Sequence, residues 1–298
     1  MTPTVSFEFF PPATSAGFNA LATSATSLAA FDPSFTSVTY GAGGSTQDKT
    51  FNAIDLLRTT NANLTIAGHL TCVAASKRDV DTVIDRFASA GVERIVALRG
   101  DTPENAPGCA PDGTHPDGYR SAVELVAGIR NRPDGGRYDI SVGAYPEVHP
   151  KASSPSADID NLKRKLDAGA DRAITQFFFD AETFARFRGR ARRAGITAPI
   201  VPGIMPITNF AAVCRFSERC GTSVPRWLHK MFDELDDAPE VRELVAATLA
   251  AELCKKLMEY GVTEFHFYTM NKPNLTAATC RSLGLRPRET CTASAAAS

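Results

Sequence analysis

Short apolar runs recur along this chain about every 30 residues, separated by helix-like stretches, and that period leaves few folds open. The runs are Val5–Phe10, Phe35–Tyr40, Leu64–Cys72, Arg94–Leu98, Asp139–Tyr145, Arg172–Phe179, Ile200–Met205 and Glu264–Tyr268. Between them, Val80, Val83, Ile84 and Phe87 mark one face of a helix. Ile159, Leu162 and Leu166 mark another, and 244–257 carries the same spacing. Gly91, Gly169, Gly195 and Gly261 each end a helical segment just before a strand, where a C-terminal cap belongs. Eight alternating units predict an α/β protein, a single-domain (β/α)8 barrel of the TIM type over residues 1–288. Residues 289–298 contain nothing that builds a core and are expected to form a disordered tail. A doubly wound open sheet is the alternative, but its G-x-G-x-x-G turn is missing. Gly41-Ala42-Gly43-Gly44 fits neither that spacing nor a P-loop.

Two stretches break the even spacing. Thr102–Gly118 holds four prolines and three glycines, so a long surface loop follows the fourth strand. Thr222–Pro239, with Trp227 and an acidic run from Asp233 to Asp237, reads as an extra helix and turn before the last helix–strand pair. A balance of 32 basic and 33 acidic residues argues against nucleic acid or an anionic membrane surface as partner. No run approaches the length of a membrane span, and the N-terminus lacks a basic and then apolar leader, so a soluble, non-exported protein is expected. Seven scattered cysteines without a C-x-x-C pair fit reduced thiols in a cytoplasmic setting better than a disulfide framework or a zinc site.

Glu8 sits inside the first apolar run, Ser6-Phe7-Glu8-Phe9-Phe10-Pro11-Pro12. Desolvating an unpaired carboxylate costs several kcal/mol, so it must be paired, protonated or placed for a ligand. An ion pair with an Arg or Lys is the plainest account. In a barrel, however, the C-terminal strand ends build the active site. Those ends are Glu8, Thr39-Tyr40, His69, Arg99-Gly100-Asp101, Tyr145 to His149, Gln176 and Tyr268. Polar groups close seven runs at the same end, which describes one polar-rimmed pocket.

The chemistry of that rim is selective. The chain has no H-E-x-x-H, no G-x-S-x-G elbow and no lysine on a strand end, which disfavours metal hydrolysis, a serine nucleophile and a Schiff base. Two acids, Glu8 and Asp101, remain among aromatic and amide groups, a set suited to holding a planar heterocycle and moving a proton or hydride. After the fifth strand, Asp158, Asn161 and Lys165 fall on one helix stripe with Arg164 beside it. That stripe is either a solvated charged face or a cationic ledge for a pyrophosphate.

These residues, in this order, resemble the methylenetetrahydrofolate reductase family. The segments that carry the resemblance are 6–12 (SFEFFPP), 37–42 (SVTYGA), 69–72 (HLTC), 97–101 (ALRGD), 144–150 (AYPEVHP), 161–165 (NLKRK), 167–180 (DAGADRAITQFFFD), 202–206 (PGIMP) and 264–271 (EFHFYTMN). They span nearly the whole chain. The resemblance implies a flavoprotein barrel with FAD at its C-terminal face, reduced by NADH or NADPH. 5,10-methylenetetrahydrofolate then enters the same face, accepts the hydride and leaves as 5-methyltetrahydrofolate, by ping-pong kinetics in one-carbon metabolism.

Carried over residue by residue, Glu8 becomes the general acid that protonates the folate nitrogen released on ring opening. An apolar strand is expected to raise its pKa for that task. Asp101 becomes the second catalytic carboxylate, beside both flavin and folate. Thr39, Tyr40, Ala42, His69, Leu98, Arg99, Gly100, Asp101, Tyr145, His149, Ala152, Asp158, Asn161, Arg164 and Lys165 match FAD-contacting positions. Asp101, Gln176, Phe216, Tyr268 and Lys272 match folate-contacting ones, Phe216 by stacking. Lys272 stands where the family's bacterial pattern often has Arg, which keeps the charge but loses the two-point fork. The 102–118 loop looks longer than the family's. The chain ends soon after the barrel, so no appended regulatory domain is expected. No metal is implied, and a homo-oligomer is. Two other readings of the same barrel are flavin-free hydride transfer from nicotinamide to folate and a folate-binding barrel without turnover.

Overall fold

The computed structural model describes residues 2–40, 47–103, 106–233, 235 and 237–288. In chain order the elements are β1 (Thr4–Phe9), α1 (Ser15–Ala29), β2 (Thr36–Val38), α2 (Gln47–Thr60), β3 (Ile66–Thr71), α3 (Lys77–Ser89), β4 (Arg94–Leu98), α4 (Ala122–Arg130), β5 (Asp139–Ala144), α5 (Pro155–Asp167), β6 (Arg172–Thr175), α6 (Ala181–Arg193), β7 (Ile200–Val201), β8 (Gly203–Ile204), α7 (Phe210–Cys220), α8 (Arg226–Phe232), α9 (Pro239–Glu259), β9 (Glu264–Tyr268) and α10 (Pro273–Ser282). All strand pairs are parallel, in the order β7-β6-β5-β4-β3-β2-β1-β9-β8.

The predicted seventh strand is two pieces. Ile200–Val201 pairs with β6 and Gly203–Ile204 with β9, while Pro202 between them has no N–H for a ladder. Its carbonyl still accepts from the His266 N–H at 3.0 Å. The two ends of the nine-strand order are therefore one stretch of chain, and they bring the barrel nearly to closure. The eight expected β/α units are all present.

Strand six is shorter than predicted, ending at Thr175. The aromatic run after it leaves the sheet because its rings belong to different layers. Phe178 stacks on Phe184 of α6, and Phe177 on Phe216 of α7. Thr222–Pro239 does contain the extra helix, α8. The expected tail, 289–298, lies outside the described residues.

Local rules account for the helices. Ser76 and Asp79 form a capping box at the start of α3, and Ser154 caps α5. Val80, Val83, Ile84 and Phe87 are buried as their spacing requires, each contributing about 1.5–3 kcal/mol of apolar burial. Phe87 lies so close to β3 that a Cβ on Gly68 would sit 2.4 Å from its ring. Gly91 and Gly261 turn the chain into β4 and β9 with φ of +67° and +81°, a region that penalises a side chain. No helix among the described residues is long and apolar enough to cross a membrane.

Inward-facing strand positions fill the barrel in bands. Arg94, Asp139, Arg172 and Glu264, each the first residue of its strand, pair at the N-terminal end. Phe35, Ala67, Val96 and Ile174 form an apolar plug above them, with Leu98 against it. Beyond the plug lies the C-terminal mouth.

Candidate active site

β1 delivers Glu8 to the floor of that mouth, where two neighbours meet it. Glu8 Oε2 lies 3.2 Å from His69 Nε2 of β3 and 3.4 Å from His266 Nε2 of β9. Only 17% of the Glu8 side chain is exposed. Burial alone pushes its carboxyl up, but the His69 charge and the hydrogen bond from His266 outweigh it and hold the pKa down at about 2. Two expectations are corrected here. The partner is a pair of histidines rather than Arg or Lys, and the carboxyl is lowered rather than raised.

Behind Glu8 the contacts continue. Ser6 Oγ lies 2.8 Å from His266 Nδ1 and 3.3 Å from the Phe265 carbonyl. The imidazole of His266 stacks on Phe35 and meets Tyr268 edge-on. Thr269 donates to the Glu8 carbonyl through both N–H (3.2 Å) and Oγ1 (2.6 Å). The Asn271 amide holds both backbone groups of Phe10, accepting its N–H at 3.1 Å and donating to its carbonyl at 2.8 Å. Asn271 does this at φ +54°, an unusual conformation held by its surroundings. Ser6, His266, Thr269 and Asn271 were absent from the residues singled out by sequence. His266 was legible in principle, since Glu264, His266 and Tyr268 alternate onto one face of β9.

Around the mouth the predicted residues divide. Tyr268 donates its hydroxyl to the Thr175 carbonyl at 2.7 Å, and burial first, then the Glu8 charge, raises its pKa well above normal. Gly203 makes room for it, because a Cβ there would lie 2.6 Å from the Tyr268 ring. Gln176 keeps its backbone bond to Ala144 while its side-chain oxygen accepts the Phe177 N–H. Phe216 is 39% exposed and stacks on Phe177 at 5.5 Å. Tyr145 meets His149 edge-on at 4.4 Å, and its pKa is pushed up to about 12 by burial, with Cys220, Asp158 and Asp101 adding to the shift. Asp101 is exposed, and its charge adds to the burial that pushes the Cys220 thiol up. Cys220 is a lining group that sequence reading passed over.

On the β4 side, Arg99 donates through Nη2 to the Asp112 carbonyl (2.5 Å) and carboxylate (3.3 Å), and through Nε to the Arg120 carbonyl (3.3 Å). The 102–118 loop thus clamps Arg99, with Asp112 itself fixed by Thr114. Gly100 turns at φ +88°, where a Cβ would lie 2.8 Å from Val73. Leu98 faces the apolar plug. Thr39 accepts from Thr50 through its carbonyl, and Tyr40 packs on the main core with its pKa raised by burial. Ala42 lies outside the described residues.

The helix stripe splits. Asp158 accepts the His149 N–H at 3.1 Å, and Ala152 donates to the His149 carbonyl at 2.8 Å. Asn161 accepts from Arg164, which is exposed. Lys165 instead turns inward, 7% exposed, and donates to the Gly143 carbonyl; burial lowers its pKa to about 8. The stripe is therefore one surface cation and one withdrawn cation rather than a uniform ledge. Lys272 is exposed on the rim beside Asn271.

Comparison with known proteins decides what this mouth belongs to. Residues 1–284 match the family described as Methylenetetrahydrofolate reductase. The chain belongs to the methylenetetrahydrofolate reductase family. As a member it is an oxidoreductase. It is 45% identical over 283 residues to the 5,10-methylenetetrahydrofolate reductases of Pectobacterium carotovorum subsp. carotovorum and Escherichia coli (strain K12), covering 95% of this chain and 91% of each relative. It is 35% identical to Methylenetetrahydrofolate reductase (NADH) 1 of Arabidopsis thaliana, of which it covers 48%. Among solved structures, a Clostridium thermocellum protein described as binding two copies of 5-methyl-5,6,7,8-tetrahydrofolic acid superposes with a TM-score of 0.64, over 95% of each chain. At 12% identity it shares the barrel fold with this chain.

Proposed function

We propose that the chain reduces 5,10-methylenetetrahydrofolate to 5-methyltetrahydrofolate, with bound FAD as hydride carrier and NADH or NADPH as donor. The two substrates use the mouth in turn. The reading rests on the 45% identity to the bacterial reductases and on one observation, a carboxylate between two imidazoles on the floor of the mouth. The setting proposed is a cytoplasmic homo-oligomer in one-carbon metabolism.

The residues suit FAD. Arg99, Arg164 and Lys165 would offer cations to its phosphates, and His69, Tyr145 and His149 flat edges to a planar ring system. Gly143 leaves the wall open, since a Cβ there would touch nothing nearer than Leu98 at 3.5 Å. Thr39, Tyr40, Leu98, Gly100, Ala152, Asp158 and Asn161 complete the cofactor wall. Bound FAD supplies the hydride that the side chains of this site cannot.

The protein supplies the proton. Ser6 has one hydroxyl hydrogen and two acceptors in reach. Donated to His266 Nδ1, it leaves a neutral imidazole whose Nε2–H faces Glu8. Donated to the Phe265 carbonyl, it lets Nδ1–H bond back to Ser6, so that facing Glu8 requires a second proton on the ring. Only the second state holds a proton the ring can give up: it would pass from His266 through the Glu8 carboxylate to the folate nitrogen as its ring opens, leaving the imidazole neutral and Glu8 ionised again. A substrate that shields the mouth from water raises the Glu8 pKa from its low resting value toward that task. Asp101, Gln176, Phe216, Tyr268 and Lys272 hold the folate, Phe216 against its ring and Lys272 toward its carboxylates.

Anaerobic absorbance of the purified protein tests the whole reading. Flavin absorbance bleaches with NADH or NADPH and returns on adding 5,10-methylenetetrahydrofolate, with 5-methyltetrahydrofolate formed. A colourless protein that still turns over replaces it with direct hydride transfer. Absence of turnover with either nicotinamide leaves a binding barrel.

A further inference from the structure

The C-terminal end of β1 is fastened by one residue just past β9, Asn271. The β1 ladder stops at Phe9, whose carbonyl accepts the Thr39 N–H at 3.0 Å. Pro11 and Pro12 follow, with no N–H to give. Between them Phe10 rests both backbone groups on the Asn271 amide, and its side chain is 41% exposed, so packing does not fix it. The rest of Asn271 is equally committed. Its N–H donates to Thr269 Oγ1 at 3.2 Å, and that hydroxyl donates in turn to the Glu8 carbonyl. Its carbonyl accepts from the buried Ser24 Oγ of α1 at 2.7 Å. One residue thus ties the end of β9 to α1 and to the backbone on either side of Phe9.

That arrangement is strained. Met270 and Asn271 stand at φ of +53° and +54°, the only neighbouring pair in that region among the described residues. Glycine adopts it freely, and asparagine is one of the few side chains that visit it. Met270 is 41% exposed, so burial of its side chain does not compel the turn. Strain kept beside a functional group points to a side chain needed where it stands. The barrel seam does not require it, because β1 and β9 already pair over five residues, from Thr4 with Glu264 to Glu8 with Tyr268. What the amide adds lies beyond the last of those pairs, at the strand end that carries a carboxylate between two imidazoles. We propose that Asn271 is a positioning residue whose amide locks the end of β1 to the end of β9 and so holds the Glu8 carboxylate between His69 and His266. Its effect on turnover rests on the proton-donor role proposed for Glu8; its effect on the carboxylate does not.

Asn271→Gly removes the amide alone. Glycine accepts the φ and keeps both main-chain bonds, so the variant should fold and melt close to wild type. Carboxyl carbon NMR on the full chain with labelled glutamate reads the carboxylate, and Glu8→Gln identifies its signal by loss. In the wild type that signal should stay at its ionised position down to pH 4.5, since the carboxyl titrates at about 2. Released from the imidazoles in Asn271→Gly, it should titrate near the ordinary 4.5. In stopped flow the same variant should slow the folate half-reaction roughly 30-fold, with flavin reduction and folate affinity within about twofold of wild type. Asn271→Asp keeps an acceptor for the Phe10 N–H but loses the donor to its carbonyl, and should slow that step roughly fivefold. A Glu8 signal that titrates in Asn271→Gly as in the wild type overturns the proposal, whatever happens to the melting temperature. A shifted titration with folate reduction intact in both Asn271→Gly and Glu8→Gln upholds the positioning and removes Glu8 as proton donor.

Discussion

Both ends of the barrel carry inward-facing charges, and they neutralise them differently. At the N-terminal end Arg172 meets Asp139 at 2.8 Å and Glu264 at 3.5 Å, while Arg94 meets Asp139 at 3.5 Å and lies over Phe35. Guanidinium against carboxylate is strong and carries no mobile proton. At the C-terminal end the partners of Glu8 are imidazoles, the side chain that exchanges protons near neutral pH. The difference lies in whether the partner can move a proton rather than in how much charge is buried. One end closes the fold; the other, on the proposed reading, passes a proton.

The largest expected effect breaks the proton-bearing end. Glu8→Gln should slow the folate half-reaction on the order of 1,000-fold while flavin reduction by nicotinamide stays near wild type in stopped flow. Equal losses in both half-reactions would remove Glu8 from its role. The same variant reports on stability. Because the folded pKa is depressed, the ionised form stabilises the fold above the ordinary 4.5, and that contribution is lost as pH falls towards about 2. Urea melts of wild type and variant should therefore differ at neutral pH and converge through that window.

Asp139→Ala strikes the opposite end. It leaves Arg94 and Arg172 without their shared partner and should cost about 3 kcal/mol in urea unfolding, with both half-reactions unchanged. A catalytic loss at unchanged stability would erase the contrast between the two ends. Ser6→Ala should act more gently, slowing single-turnover folate reduction about tenfold and shifting its pH profile, because His266 loses its second contact. An unshifted profile would confine Ser6 to packing. The smallest effect belongs to Asp112→Ala, which removes the carboxylate from Arg99 while the residue-112 carbonyl still holds it, and should weaken FAD binding roughly threefold by fluorescence titration. Unaltered affinity would show that the backbone carbonyls of residues 112 and 120 suffice to place the guanidinium.

Much of the architecture was legible because it is written in local rules. The apolar period marked eight units, and glycines after helices marked the turns into strands. Its place in the first run put Glu8 at a C-terminal strand end, where a barrel builds its site. Misreadings arose where neighbours remote in sequence decide. Ile200–Met205 looks continuous, yet Pro202 splits its pairing between β6 and β9. Phe177–Phe179 look like strand, yet Phe177 stacks on α7 and Phe178 on α6. Lys165 shares a stripe with Asn161, yet only Lys165 reaches the strand end at Gly143.

By itself, the order of residues determined a parallel barrel, its polar mouth and an acid at the end of the first strand. Each of those follows from periodicity, which acts over a few residues at a time. Only the tertiary structure decided what Glu8 faces. His266 lies 258 residues away along the chain and reaches Glu8 only because β9 pairs with β1 as the barrel closes. A carboxylate in an apolar run has its pKa raised by burial. Bring two imidazoles to it, and the same burial strengthens their pull until the carboxyl titrates at about 2.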